Sequence, residues 1–135
     1  MNLFVIIKRY VAMICGIGTD ISEVKRFQKW VDNSHIYKRF FNEKEIMEKG
    51  SNSAKCQHYA ARFAAKEAFS KALGTGIVFE LKDVYITNDE LGKPLLNVEG
   101  KAADILKDKF GNCNLHISLS HEKEYAVAFV IIESL

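Results

Sequence analysis

The stretch Tyr59-Ala60-Ala61-Arg62-Phe63-Ala64-Ala65-Lys66-Glu67-Ala68-Phe69-Ser70-Lys71-Ala72-Leu73-Gly74-Thr75-Gly76 decides the fold. Alanine has the best intrinsic helix propensity, and a glycine just past the last turn is a common stop, so the spacing predicts a helix closed by Gly74. At 100° per residue from Tyr59, Arg62, Lys66 and Ser70 cluster within roughly 80° of one another, which predicts a solvated face. Glu67 and Lys71 fall at about 80° and 120°, interleaved with Ala60, Phe63 and Ala64. A carboxylate and an ammonium one turn apart among small and apolar residues call for a partner elsewhere in the chain.

Upstream, Met13-Ile14-Cys15-Gly16-Ile17-Gly18-Thr19-Asp20-Ile21 reads as a buried strand with Asp20 at its end. Ser22 is placed to cap a helix over Glu23 to Trp30, with Val24, Phe27 and Val31 on its core side and Lys25, Arg26 and Lys29 on the other. Asn33 to Phe41 reads as a turn and short helix. Asn42-Glu43-Lys44-Glu45 resembles a capping box, so a helix from there to about Gly50 is expected, followed by a Ser51-Asn52-Ser53 loop. Downstream, the period changes. Leu81 to Thr87 and Pro94 to Val98 form a hairpin around Gly92-Lys93-Pro94, and Gly100 to Phe110 is an amphipathic helix. Asn114 to Ser120 and Tyr125 to Ile132 are two further strands. Residues 1–12 stand apart as an N-terminal extension. The expected architecture is one α+β domain over 13–135, with a small, mostly antiparallel sheet packed on the long alanine-rich helix.

Composition narrows the function. With 135 residues, 48% hydrophobic and 27% charged, the chain suits one soluble globular domain. A formal charge of +2 gives no case for nucleic acid. Three widely spaced cysteines without CxxC argue against a disulfide framework or a zinc site, so a reducing cytoplasm is expected. Leu3-Phe4-Val5-Ile6-Ile7 is followed, not preceded, by Lys8-Arg9, the wrong order for a signal peptide, and no apolar run reaches membrane-span length.

Four features fall at expected element ends: Asp20, the Glu67–Lys71 pair, the Gly92-Lys93-Pro94 turn and Ser118-Leu119-Ser120-His121. Two readings of the acids stand side by side. Asp20 and Glu67 could together hold a hard cation such as Mg²⁺, with phosphate oxygens completing its shell. Alternatively Asp20 caps a helix and Glu67 pairs with Lys71. The cations Lys71 and Lys93, with His121, would suit a phosphate ester. There is no GxxxxGK(S/T), so a Walker-type site is excluded, and no GxSxG elbow supports a nucleophilic serine near His121. His35, His58 and His116 read as packing or surface residues.

The blocks also resemble a known family. Gly16-Ile17-Gly18-Thr19-Asp20-Ile21 with Glu23-Val24-Lys25-Arg26-Phe27, Phe41-Asn42-Glu43-Lys44-Glu45, Arg62 to Ala72, and Ile117 to His121 with Tyr125 to Ala128 are similar, in order and spacing, to the holo-acyl-carrier-protein synthases. These are bacterial 4′-phosphopantetheinyl transferases. The resemblance implies that fold and a trimer with clefts between neighbours. It implies transfer of the phosphopantetheine arm of coenzyme A to a serine of apo acyl carrier protein, releasing adenosine 3′,5′-bisphosphate, in fatty acid biosynthesis. It assigns Mg²⁺ to Asp20 and Glu67, and Lys71 to the phosphates. It gives coenzyme contacts to Lys93, Pro94, Ser120 and His121, and carrier docking to Arg26 with Lys25 and Lys29. The nucleophile then belongs to the partner, and Glu67, directly or through water, is the local choice for the base. Two other readings compete: a binding module that holds a phosphorylated ligand without turnover, and the larger, two-copy type of transferase.

Overall fold

A computed structural model describes residues 12–135; the expectation of an N-terminal extension therefore falls almost entirely outside the described residues. The order is β1 (Met13–Glu23), a 3₁₀ turn (Val24–Phe27), α1 (Gln28–Val31), α2 (Ser34–Phe40), a 3₁₀ turn (Glu43–Glu45) and α3 (Asn52–Leu73). After a third 3₁₀ turn (Leu81–Asp83) come β2 (Val84–Asn88), β3 (Pro94–Val98), α4 (Gly100–Phe110), β4 (Cys113–His121) and β5 (Tyr125–Ser134). The strands make an antiparallel β1-β5-β4 sheet and a separate β2-β3 hairpin.

The layering depends on how closely α3 can approach β1. A Cβ on Gly16 would lie 2.0 Å from the Ala72 carbonyl oxygen, and one on Gly18 would lie 1.8 Å from that of Ala68. Two glycines on one side of a strand and alanines one turn apart on a helix let two backbones meet where any larger side chain would hold them apart. Ala64, Ala65 and Ala68 are fully buried in that contact, with Ala128, Val130 and Ile132 of β5 in the same core. A second core gathers at the other end of α3, where Phe27, Phe41 and Tyr59 are buried and Trp30 and Phe63 pack edge to face.

Period-2 alternation sends the other half of β1 and β5 outward. Ile17, Ile21, Val127 and Phe129 are all exposed on the sheet face away from α3. The register pairs Ile21 with Val127 and Thr19 with Phe129, so these side chains form one continuous apolar surface.

The structure corrects five boundaries. β1 does not stop at Asp20; pairing with β5 continues through Ser22 and Glu23, so Asp20 sits inside a strand. Ser22 caps nothing, because its hydroxyl lies 3.4 Å from Asp20 Oδ2, and the basic residues fall on a 3₁₀ turn and a short α1 instead of one helix. The capping box at Asn42 and Glu45 is present, yet its helix is a single 3₁₀ turn and the chain is extended by Ile46. The carboxylate that closes the box is also committed to groups outside it. The expected loop at Ser51-Asn52-Ser53 is the start of α3: the Ser51 hydroxyl accepts from Ala54 N at 3.0 Å, and the helix runs 22 residues to Gly74 at φ +81. Before β2, Leu81–Asp83 turns as 3₁₀ where the sequence predicted strand.

Candidate active site

The two-residue step that sets Gly16 against Ala72 and Gly18 against Ala68 carries Asp20 along the helix-facing side of β1. There Asp20 Oδ1 lies 3.2 Å from Lys71 Nζ, which also donates to the Thr19 carbonyl at 2.9 Å. The Asp20 side chain is 18% exposed and that of Lys71 55%, so the pair opens to solvent. Glu67 stands one turn earlier on α3. Burial, and then the negative charge of Asp20, push its carboxyl above the usual range, while Lys71 and Arg26 pull it down. The ammonium thus answers Asp20, and the expected Glu67–Lys71 pair is not among the salt bridges of the described residues.

This inverts the predicted helix faces. Lys66 and Ser70, read as solvated, are buried at 1% and 3% exposure, and Lys71 is exposed. The reason is a partner that helical periodicity cannot show. Lys66 Nζ lies 2.6 Å from Glu45 Oε1 and donates to the Leu81 and Val84 carbonyls, so its charge is fully answered inside the protein. Ser70 is satisfied by the Glu67 carbonyl at 2.7 Å.

The donor set at Asp20 and Glu67 fits Mg²⁺. Asp20 stands on β1 and Glu67 on α3, and the negative charge of Asp20 is the second cause of the raised Glu67 carboxyl. A divalent cation relieves that repulsion. No cluster of three or more His, Cys, Asp or Glu ligands occurs among the described residues. Mg²⁺ is usually held by one or two carboxylates, with water or phosphate oxygens in the remaining positions.

A second group lies elsewhere. A cavity of about 420 Å³ between α3 and the β2-β3 turn is lined by His58, Arg62, Asn88, Gly92, Pro94 and His121, among others. Of the expected coenzyme contacts, Pro94 and His121 meet here. Lys93 instead borders a second pocket of about 210 Å³ with Pro94, Leu95 and His116, and Ser120 lies exposed on β4 outside both linings. Asp20, Glu67 and Lys71 do not line the cavity. Lys25, Arg26 and Lys29 are all exposed, though Lys25 Nζ is held 3.0 Å from Glu23 Oε1.

Two residues of the cavity escaped the sequence reading. Arg62, assigned to solvent, is half-buried: Nη1 donates to the His58 carbonyl at 3.4 Å, Nη2 to Asn88 Oδ1 at 3.2 Å, and the buried Nε has no partner. Burial lowers its pKa. Its fixing partner Asn88 is 26 residues away, so no local signal marks it. His58, set aside as a packing residue, lines the cavity, and its Nε2 meets the Glu45 carbonyl at 2.5 Å. A carbonyl oxygen only accepts, so Nε2 carries the proton and the ring is the neutral Nε2–H tautomer.

Burial first, and then the charge of Arg62, lower His58 to about 4. In the unfolded chain a histidine binds its proton near pH 6.5, so acid favours unfolding from there down to about 4. The melting temperature should fall across that interval. His58→Gln, which keeps a donor for the Glu45 carbonyl, should flatten the slope, and an unchanged slope would show that His58 is not its source.

Comparison with known proteins shows the family. The family model described as the 4′-phosphopantetheinyl transferase superfamily matches residues 16–130. The chain is 48% identical over 125 residues to a holo-acyl-carrier-protein synthase of Treponema denticola, covering 90% of this chain and 99% of that one. It is 43% identical over 123 residues to one of Clostridium novyi, covering 90% and 88%. Among solved structures, the synthase of Bacillus anthracis in complex with CoA (3′,5′-ADP) superposes with a TM-score of 0.72 at 39% identity, covering 91% of this chain and 99% of that one. The synthase of Plasmodium yoelii gives 0.78 at 32% identity, covering 93% and 98%.

Proposed function

The chain belongs to the 4′-phosphopantetheinyl transferase superfamily, beside the holo-acyl-carrier-protein synthases, and on that premise we propose how its own residues carry the reaction. The protein is a transferase. It moves the 4′-phosphopantetheine of coenzyme A to a serine of apo acyl carrier protein, a step that serves fatty acid biosynthesis. The serine oxygen forms a bond to the phosphorus bearing pantetheine, the bond from that phosphorus to adenosine 3′,5′-bisphosphate breaks, and the hydroxyl proton leaves.

The observation that carries the assignment is the Lys71–Asp20 contact between helix and strand, with Glu67 one turn earlier on α3 close enough to feel the charge of Asp20. Asp20 and Glu67 would hold Mg²⁺, which when bound would offset the negative charge of the pyrophosphate. Lys71, already turned toward Asp20, lies where a phosphate oxygen would compete for its ammonium. Glu67, directly or through water, accepts the serine proton. Most of the catalytic effect in phosphoryl transfer comes from positioning and charge neutralisation, which this cluster supplies without a nucleophile of its own.

The nucleotide end of coenzyme A occupies the cavity with Arg62, Pro94 and His121; Arg62 brings a cation whose buried Nε lacks a protein partner. Lys93 and Ser120 contribute from its margins. Because this cavity and the Asp20–Glu67 pair do not share a lining, a neighbouring copy completes the cleft. The exposed Ile17, Ile21, Val127 and Phe129 face supports a homotrimer built on the β1-β5 sheet. No described helix is long and apolar enough to cross a membrane, and the three cysteines are free, which agrees with a cytoplasmic enzyme.

The carrier docks on Lys25, Arg26 and Lys29 through its acidic surface. Reversing these charges to glutamate should raise the KM for carrier about tenfold or more at low salt with little change in kcat, and the difference should shrink as salt screens it. A KM indifferent to both charge and salt would remove the docking stripe. The transfer itself is tested by intact mass: apo carrier with coenzyme A and Mg²⁺ should gain one phosphopantetheine. A carrier that stays unmodified while coenzyme A binds would leave a binding module.

A further inference from the structure

The mechanism leaves one charged pair unused. Glu45 and Lys66 are both 1% exposed, in the middle of the protein, and Lys66 Nζ sits 5.2 Å from the centre of the Phe41 ring. Stability does not account for such a pair, since desolvating two charges commonly cancels their attraction and apolar residues of like volume do as well. What apolar residues cannot do is fix the relative position of several backbones, and the bonds around Glu45 do that. Oε1 accepts from Lys66 on α3 and from Asn42 N at 3.0 Å. Oε2 accepts from Ile86 N on β2 at 3.0 Å. Among the described residues β2 pairs only with β3, so its other edge has no described strand, and the carboxylate answers an edge amide in its place. The Glu45 carbonyl meets His58, and Lys66 holds the carbonyls of Leu81 and Val84 on the chain entering β2.

Each element so tied continues into a wall of the 420 Å³ cavity. Met47 follows Glu45, Arg62 lies one turn before Lys66 on α3, and Asn88 to Pro94 follow Ile86 around the hairpin turn. We propose that Glu45 and Lys66 are positioning residues for coenzyme A: the buried pair sets the gap between α3 and the β2-β3 turn, and hence the fit of the nucleotide end. The inference rests on the placement of that end in this cavity. It separates two roles on adjacent residues of α3, with Glu67 serving the reacting phosphates and Lys66 the width of the nucleotide site.

The test compares wild type, Glu45→Asp, the charge-free double variant Glu45→Gln with Lys66→Met, and Arg62→Gln as a probe of the cavity itself. Glu45→Asp keeps the charge but is too short to reach Lys66 and Ile86 together. Steady-state kinetics, run well below each melting temperature, should show the KM for coenzyme A raised about tenfold in both Glu45 proteins with kcat within about threefold of wild type. Amide exchange at Ile86 should quicken in step. Arg62→Gln should also raise that KM. If Arg62→Gln leaves it unchanged, the cavity is not the nucleotide site and the proposal falls with it. If Arg62→Gln raises it while the Glu45 proteins stay within twofold, or lose only kcat in proportion to their folded fraction, the positioning role alone is overturned.

Discussion

Glu67→Gln should lower the transfer rate by about a thousandfold while leaving the fold intact, the range expected when a general base is removed and a charge is lost from a phosphate site. The substitution preserves shape. It also removes a carboxylate whose burial and proximity to Asp20 disfavour its charged form, so the melting temperature should hold or rise slightly. Asp20→Asn should cost a comparable factor with a different side effect. Lys71 Nζ would keep the Thr19 carbonyl at 2.9 Å but lose the charge of its 3.2 Å partner. Single-turnover rates with saturating coenzyme A and carrier, beside thermal melts, separate chemistry from folding. A Glu67→Gln protein working near the wild-type rate would remove both roles assigned to that carboxylate.

The second large effect concerns stability. Gly18→Ala places a Cβ 1.8 Å from the Ala68 carbonyl oxygen and 2.7 Å from Ala72 N, both backbone atoms that no rotamer change can move aside. Either α3 lifts from β1 or the strand bends, and overpacking of that kind costs about 3 kcal/mol or more. Gly92→Ala is the control. Its φ of +86 is unfavourable for alanine, yet nothing lies within 4 Å of the added carbon, so only about 1 kcal/mol is expected. Urea unfolding measures both. If Gly18→Ala costs no more than Gly92→Ala, the contact between backbones is not what fixes the α3-β1 layer.

These contrasts show where the sequence was readable. The strand with Gly16 and Gly18, the alanine helix, the hairpin at Gly92-Lys93-Pro94 and the final two strands all follow from period and turn chemistry, and the observed α+β architecture agrees. The helix faces did not follow. A helical wheel sorts residues by type, so Lys66 went to solvent. The Glu45 that takes its charge is 21 residues away, on a turn read as the start of a longer helix. Arg62 was misplaced for the same cause, with Asn88 as its distant partner. The ion pair is Asp20–Lys71, across two elements, in place of the expected one-turn Glu67–Lys71 pair on α3. Local periodicity reports propensity and hydrophobic placement; the partner of a buried charge is a tertiary fact.

The central claim is that Asp20 and Glu67 jointly hold a divalent cation at the reacting phosphates. Its most direct test is a crystal structure grown with coenzyme A and Mn²⁺ as an anomalous stand-in for Mg²⁺. The account predicts an anomalous peak at ligating distance, about 2.2 Å, from one oxygen of each carboxylate, with coenzyme pyrophosphate oxygens among its other ligands. A bound coenzyme with no peak between Asp20 and Glu67, or with the metal held by other side chains, would contradict it.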